Sequence, residues 1–306
     1  MSRSTARPID LVMVCLSAAA FSTLAILTSL AYRHGAQPLP LLAWRFAIVA
    51  ALMAASVVLS SPAALRVTAR DVGRFAAMAL FGYGAASVCF FFALRFASAS
   101  VVEMLLYTYP AMIVTAGALL SGERLDARRI AAIGLTFAGC ALVVGVLLGG
   151  GRASWQGIVL GLGAAVGYTV FNLLSYRWIR EKPRAVLMTY TFGIAAAAIA
   201  ALALATGQSL SPAGWGWEVW ALLGVIVLVP TFAAVLLLFS GMSRLGTSRT
   251  AIISTMEPLF TIALAAAILG DRLTPTQLFG AVLVVAGVLC AEWRAPGHGM
   301  DDMAAV

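Results

Sequence analysis

The sequence predicts an all-α integral membrane protein whose ten spans form two inverted five-helix repeats. Three observations carry that expectation. The chain is 62% apolar and 10% charged over 306 residues, whereas soluble domains hold about 45–50% apolar and about 25% charged residues, so its solvent must be lipid. The apolar residues gather into ten runs, most of them near the roughly 20 residues that cross a bilayer. A stretch of the first half also recurs in the second, where residues 108–125 align with 256–273.

The first span, residues 11–31, follows Arg3 and Arg7 and contains small residues at Ser17-Ala18-Ala19-Ala20, as a cleavable leader would. Its apolar run exceeds the 7–15 residues or so of a leader core, so it reads as a retained helix. The others fall at 41–60, 74–94, 98–120, 129–148, 156–178, 186–206, 217–240, 249–269 and 276–293. Helices are expected because an open-ended span must satisfy its backbone within itself. Fifteen of the twenty Lys and Arg then fall on one set of alternate connections and termini, four on the other, and Arg45 inside a span. That bias places both termini in the cytoplasm. Trp215, Trp217 and Trp220 gather at the opposite end of span 8, as interface anchors or as a gate over a cavity.

Other classes find little support. The net charge of +8 is spread between apolar runs, with no basic block and interleaved aromatics, so nucleic acid is not an expected partner. Cys15, Cys89, Cys140 and Cys290 lie far apart inside apolar runs and read as packing residues. His34 and His298 lie in a loop and the tail, so neither a metal site nor a cofactor is expected. An intramembrane enzyme would need a nucleophile–base pair or a metal motif, and the spans carry no HExxH or GxSxG. Rings of charge or a repeated carbonyl filter, which a channel needs, are also missing.

The internal repeat is the most informative feature. TYPAMIVTAGALLSGERL (108–125) lies on MEPLFTIALAAAILGDRL (256–273), matching Pro110 with Pro258, Gly122 with Gly270, and Glu123-Arg124-Leu125 with Asp271-Arg272-Leu273. Gly139 matches Gly287 at the same offset, and Phe46 matches Phe192 at a slightly shorter one. Each half has five spans, an odd number, so the second half enters the membrane upside down. Residues 1–150 form the first repeat, and 151–306 the second with a short cytoplasmic tail. Inverted repeats are characteristic of secondary transporters, with binding near the midplane between halves.

Here the chain resembles the EamA family of the drug/metabolite transporter superfamily. The resemblance rests on the two Pro-to-Gly-acid-Arg-Leu blocks, Trp44-Arg45-Phe46 and Glu257-Pro258. It covers about residues 11–293. It implies a basket of ten helices around a central cavity, in the bacterial inner membrane, as monomer or homodimer. It also implies export of small metabolites, among them amino acids and aromatic ones; multidrug efflux or uptake by a carrier of the same superfamily is the alternative.

A charge near the bilayer centre costs about 2.5–3.5 kcal/mol on insertion scales and is a functional hypothesis by default. Ten of the twelve carboxylates lie in loops, tails or span ends; Glu103 and Glu257 lie well inside spans, as does Arg45 among the bases. Arg45 and Glu103 sit at similar depth from the same side, so an ion pair between them is expected. Arg45 then either receives a substrate carboxylate, with Glu103 as counter-charge or proton site, or forms a structural pair or snorkels.

Pro258 removes a donor from the Ser254 carbonyl and bends span 9. Such a break is tolerated where other helices or cavity water re-satisfy the backbone. The neighbouring Glu257 has the same need, so both are expected to line a polar cavity, and Pro110 gives span 4 a related bend. Glu257 and Glu103 are the proton-coupling candidates. Tyr83, Ser87, Tyr107, Thr169, Asn172 and Ser254 are expected to complete the cavity, each otherwise an ordinary interhelical hydrogen bond. Glu123 and Asp271 read as end caps, and Pro230 as a packing bend. Gly157, Gly161, Gly163 and Gly167 set two GxxxG spacings for close helix approach, within the bundle or between protomers.

Overall fold

The computed structural model describes residues 8–121, 126–144, 154–178, 183–245 and 247–292. The Glu123-Arg124 block, Arg152 and the tail lie outside the described residues. Among these residues the chain is all helical. We number the spans α1 (Pro8–Arg33), α2 (Pro38–Ser60), α3 (Ala69–Ala93), α4 (99–121), α5 (Ala127–Val144), α6 (Trp155–Trp178), α7 (Arg184–Ala205), α8 (217–245), α9 (247–269) and α10 (Pro275–Glu292). Eight are long and apolar enough to cross a membrane on their own; α10 is a shorter apolar helix over Pro275–Cys290, and α5 and α10 pack on each other.

Local chemistry sets the ends. Thr68 caps α3 through a reciprocal exchange with Asp71, which satisfies two orphan N–H groups at once. Ser98 caps α4 by accepting from the Val101 amide. Gly270 ends α9 in the left-handed region at φ 75°, which a residue with a Cβ reaches at a cost.

Four helices are irregular, and they are repeat mates. α3 carries a π-helical turn at Met78–Tyr83 and α8 one at Leu228–Ala233. α4 is interrupted after Leu106 and resumes at Tyr109, two helical segments around the Tyr107–Thr108 turn. α9 is interrupted at Thr255, between Thr247–Ser254 and Met256–Leu264. Both interruptions fall just before a proline, whose missing N–H and ring prevent the helix from continuing. The expected bends are therefore outright breaks, and Pro230 belongs to a π turn.

Glycines set the closest approaches. Gly139 meets the Gly280 backbone where α5 crosses α10, and Gly287 meets Thr136 and Ala132 on the same pair. On α6, Gly157 lies against Phe96 and Ala97, Gly161 against Leu105, Gly163 against Cys89 and Gly167 against Ala86. The α6 glycines thus serve packing within the bundle, seating α6 on α3 and α4.

Contacts between span ends join residues that the arginine alternation puts on one side. On the arginine-rich side Arg244 of α8 binds Asp10 of α1 at 3.1 Å, and Arg128 of α5 donates twice to the Cys290 carbonyl of α10. On the arginine-poor side Arg33 donates to the Leu269 carbonyl, and the Trp44 indole donates to the Leu210 carbonyl. There Trp220 also packs against Trp44 and Trp215 at 6.0 and 5.5 Å.

Candidate functional site

The two broken helices meet at their breaks. In their arginine-poor halves α4 and α9 pack together, and the Ser100 amide and hydroxyl reach Asp271 at 3.4 Å beyond the end of α9. Asp271 therefore caps the neighbouring helix α4. The arginine-rich halves diverge. That of α4 packs on α5, α6 and α10, and that of α9 on α1, α8 and α10. Around the point where they part, Glu257, Ser254, Tyr109, Tyr168 and Asn172 are half-buried.

At the crossing, the Tyr107 hydroxyl of α4 lies 2.9 Å from the Ser254 carbonyl and 2.8 Å from Glu257 Oε2 on α9. Ser254 is the residue four before Pro258, so its carbonyl is the one that lost its helical donor. A side chain from the other repeat replaces it. Glu103, four residues before Tyr107, is 4% exposed, and its Oε1 has no hydrogen-bond partner. Glu257 is near enough for its charge to bear on Glu103. A carboxyl and a phenol are thus bonded where the repeats cross, with the buried Glu103 one turn from Tyr107 on α4 and with Pro110 and Pro258 both buried.

Tyrosine rings extend from this knot. Tyr107 meets Tyr109 edge-on at 5.9 Å, Tyr109 meets Tyr168 at 4.7 Å, and Tyr168 meets Tyr83 at 6.3 Å. Tyr83 stands at the end of the α3 π turn, within 5.2–5.6 Å of Phe171, Phe192 and Phe46. Phe46 and Phe192, the repeat mates, touch each other at 5.2 Å. Thr169 reaches the Tyr109 carbonyl at 3.4 Å and its own helix at Ala165 at 2.8 Å. Asn172 donates to the Tyr168 carbonyl, and Ser87 is buried one turn beyond Tyr83.

Arg45 lies at the other end of this aromatic wall, and the expected ion pair is absent. Its Nε donates to the Thr231 hydroxyl at 3.1 Å, and its guanidinium sits over Phe46 and Phe91 at 5.3 and 5.5 Å, with Tyr83 facing it. Equal depth placed Arg45 and Glu103 on one level of the membrane but not on facing sides of their helices. α2 packs on α3, α7 and α8, whereas the half of α4 that holds Glu103 packs mainly on α6 and α9. Thr231, which the sequence reading missed, occupies the α8 π turn and donates to the Ile226 carbonyl at 2.8 Å, leaving its oxygen to accept from Arg45. Tyr109 was also missed as a neighbour of the knot; the Tyr107-x-Tyr109-Pro110 pattern was the available signal.

Comparison with known proteins agrees with this architecture. The model of the EamA-like transporter family matches the chain twice, over residues 9–145 and 155–292. An uncharacterized transporter of Archaeoglobus fulgidus is 28% identical over 74% of this chain and 79% of its own length. Probable amino-acid metabolite efflux pumps of Salmonella typhimurium and Escherichia coli are each 26% identical, over 62% and 64% of this chain and 66% and 69% of theirs. A solved crystal structure superposes with a TM-score of 0.66 over 93% of this chain and 96% of its own, at 22% identity, a likeness of fold alone.

Proposed function

The chain belongs to the EamA-like transporter family, and from that premise we propose that it is a proton-linked exporter of small metabolites, amino acids first among them. The observation that carries this reading is the Tyr107–Glu257–Ser254 knot, which joins the repeats at the level of both helix breaks, with Glu103, whose Oε1 lacks a partner, one turn away on α4. A carboxyl exposed to a cavity on one side and bonded across the repeat interface can exchange its proton with only one compartment at a time. Rocking one repeat against the other would change which compartment that is.

In this reading Glu257 is the proton site and Glu103 a second carboxyl beneath the packed arginine-poor halves. Tyr83, Tyr109 and Tyr168 form the apolar wall a ring-bearing substrate would lie on. Arg45, whose Nε donates to the Thr231 hydroxyl and whose guanidinium faces Tyr83, is the group that would receive a substrate carboxylate. Thr169, Asn172 and Ser87 line the α6 and α3 sides. The arginine-rich side is cytoplasmic and the chain works without a metal or catalytic cofactor. The amino-acid assignment draws on the names of the two efflux pumps.

The test is counterflow of a labelled amino-acid panel, aromatics included, in proteoliposomes with and without a pH gradient. Saturable exchange of one or a few, accelerated by the gradient, is the expected outcome. Exchange of drugs or other metabolites instead would move the assignment to multidrug or metabolite efflux, and exchange blind to the gradient would remove the proton.

A further inference from the structure

We propose that Tyr107 is a positioning residue that reports the protonation state of Glu257 to the broken helix α9, a role that rests on the proton-linked reading above. A count of hydrogens leads to this role. A phenol has one proton to give, yet two oxygens, the Ser254 carbonyl and Glu257 Oε2, lie at 2.9 and 2.8 Å from it, both full hydrogen-bond distances. With Glu257 protonated the count closes: the carboxyl O–H donates to the phenol oxygen, and the phenol donates to the carbonyl. When Glu257 gives its proton to cavity water, the ionised carboxylate becomes the stronger acceptor and accepts the phenol's single hydrogen bond, the phenol keeping its proton.

The Ser254 carbonyl is then left bare. Its helical donor is already missing because residue 258 is proline, and an unpaired carbonyl in a span needs water or another partner. Tyr107 stands where the arginine-poor half of α4, the half packed on α9, meets its break. Ionisation of Glu257 therefore unties α9 from α4 at the point where the closed half of the crossing begins.

The groups that face Glu257 allow this. Tyr107 and Glu103 come from α4 and Tyr168 from α6, with the Tyr109 ring against those of Tyr107 and Tyr168. The charged groups of α1 and α8, which also pack on α9, lie at the span ends: Asp10 with Arg244, Arg33 with the Leu269 carbonyl, and Glu218 in the first turn of α8. The described part of α10 brings no charge to the break. The repeat supplies a control. At the matching break in α4, Tyr109 stands where α9 has Glu257 and Thr255 where α4 has Tyr107, so no carboxyl–phenol pair exists there.

The test is an infrared acid–base titration of the purified full-length protein, in which the protonated carboxyl band of Glu257 is identified by its loss in Glu257→Gln. Tyr107→Phe keeps the ring against Tyr109 and removes the hydroxyl. We expect it to move the midpoint of that band by about half to one pH unit, the size of one hydrogen bond expressed as a titration shift. Pro258→Ala returns a backbone donor to the Ser254 carbonyl with Tyr107 intact, and should move the same midpoint even if the Phe variant does not fold. A midpoint unchanged in the folded variants overturns the role of Tyr107. A wild type with no titrating band that Glu257→Gln removes overturns the proton-linked reading itself.

Discussion

The two helices broken by proline are the same device used twice, yet only one of them places a carboxyl at its break. α4 and α9 share the proline position, the break and the Gly-acid-Arg-Leu sequence that follows. They differ at the break itself: Tyr107 and Tyr109 on α4 stand opposite Thr255 and Glu257 in the alignment. The shared proline supplies the backbone opening that an inverted repeat needs at its crossing. The unshared residues decide what the opening responds to. In α9 the freed carbonyl is claimed by Tyr107 from the other repeat, whereas the position matching Tyr107 in α9 is Thr255, whose hydroxyl turns back to the Ile252 carbonyl of its own helix.

That contrast can be broken by restoring each helix in turn. Pro258→Ala should cost transport about tenfold, because a backbone bond worth about 1–1.5 kcal/mol would hold α9 straight and displace Tyr107. Pro110→Ala should cost less, about two- to threefold on the same scale, since the bonds from Tyr107 to α9 stay in place. Counterflow rates of the two variants, normalised to folded protein, measure the difference; equal losses would mean that the breaks are mechanically equivalent and the knot adds nothing.

The other pair of repeat mates, the π turns of α3 and α8, sharpens the point. One turns Tyr83 toward the aromatic wall, and the other presents Thr231 to Arg45. Thr231→Val keeps the shape but leaves a buried charged donor unpaired, so a loss of about 1–3 kcal/mol is expected, read as a lower unfolding midpoint. Thr28→Val, at a buried hydroxyl with no hydrogen-bond partner, should be close to neutral in the same melts. The smallest effect belongs to the span ends. Arg244→Ala removes the ion pair with Asp10, but the Arg244 side chain is 56% exposed, so at most about 1 kcal/mol should be lost.

The sequence located the irregularities because proline is a local signal: Pro110 and Pro258 state where each helix bends and which carbonyl is freed, although not that the helix stops there. The same reasoning identified Ser254 as needing a partner and placed Glu257 beside it. What it could not supply was azimuth. Arg45 and Glu103 share a depth, and depth follows from counting residues, but the facing side of each helix depends on packing. The π turns made this worse, since one extra residue per turn rotates everything beyond it, and no residue pattern at Leu228–Ala233 demands that insertion apart from Pro230. Thr231 was therefore invisible as a partner for Arg45. The glycines of α6 were legible as sites of close approach, and the structure supplied the neighbours, α3 and α4.

Coupling of transport to protons by the carboxyl at the α9 break is tested most directly by one variant. Wild type and Glu257→Gln would be reconstituted side by side, and both counterflow and pH-gradient-driven accumulation of the same labelled substrate measured. The variant's amide is fixed in the hydrogen-bonding role of a protonated carboxyl. It is therefore expected to support exchange at zero gradient and to lose accumulation driven by the gradient. Accumulation retained at the wild-type level would contradict the coupling and leave Glu257 as a packing residue at a bent helix.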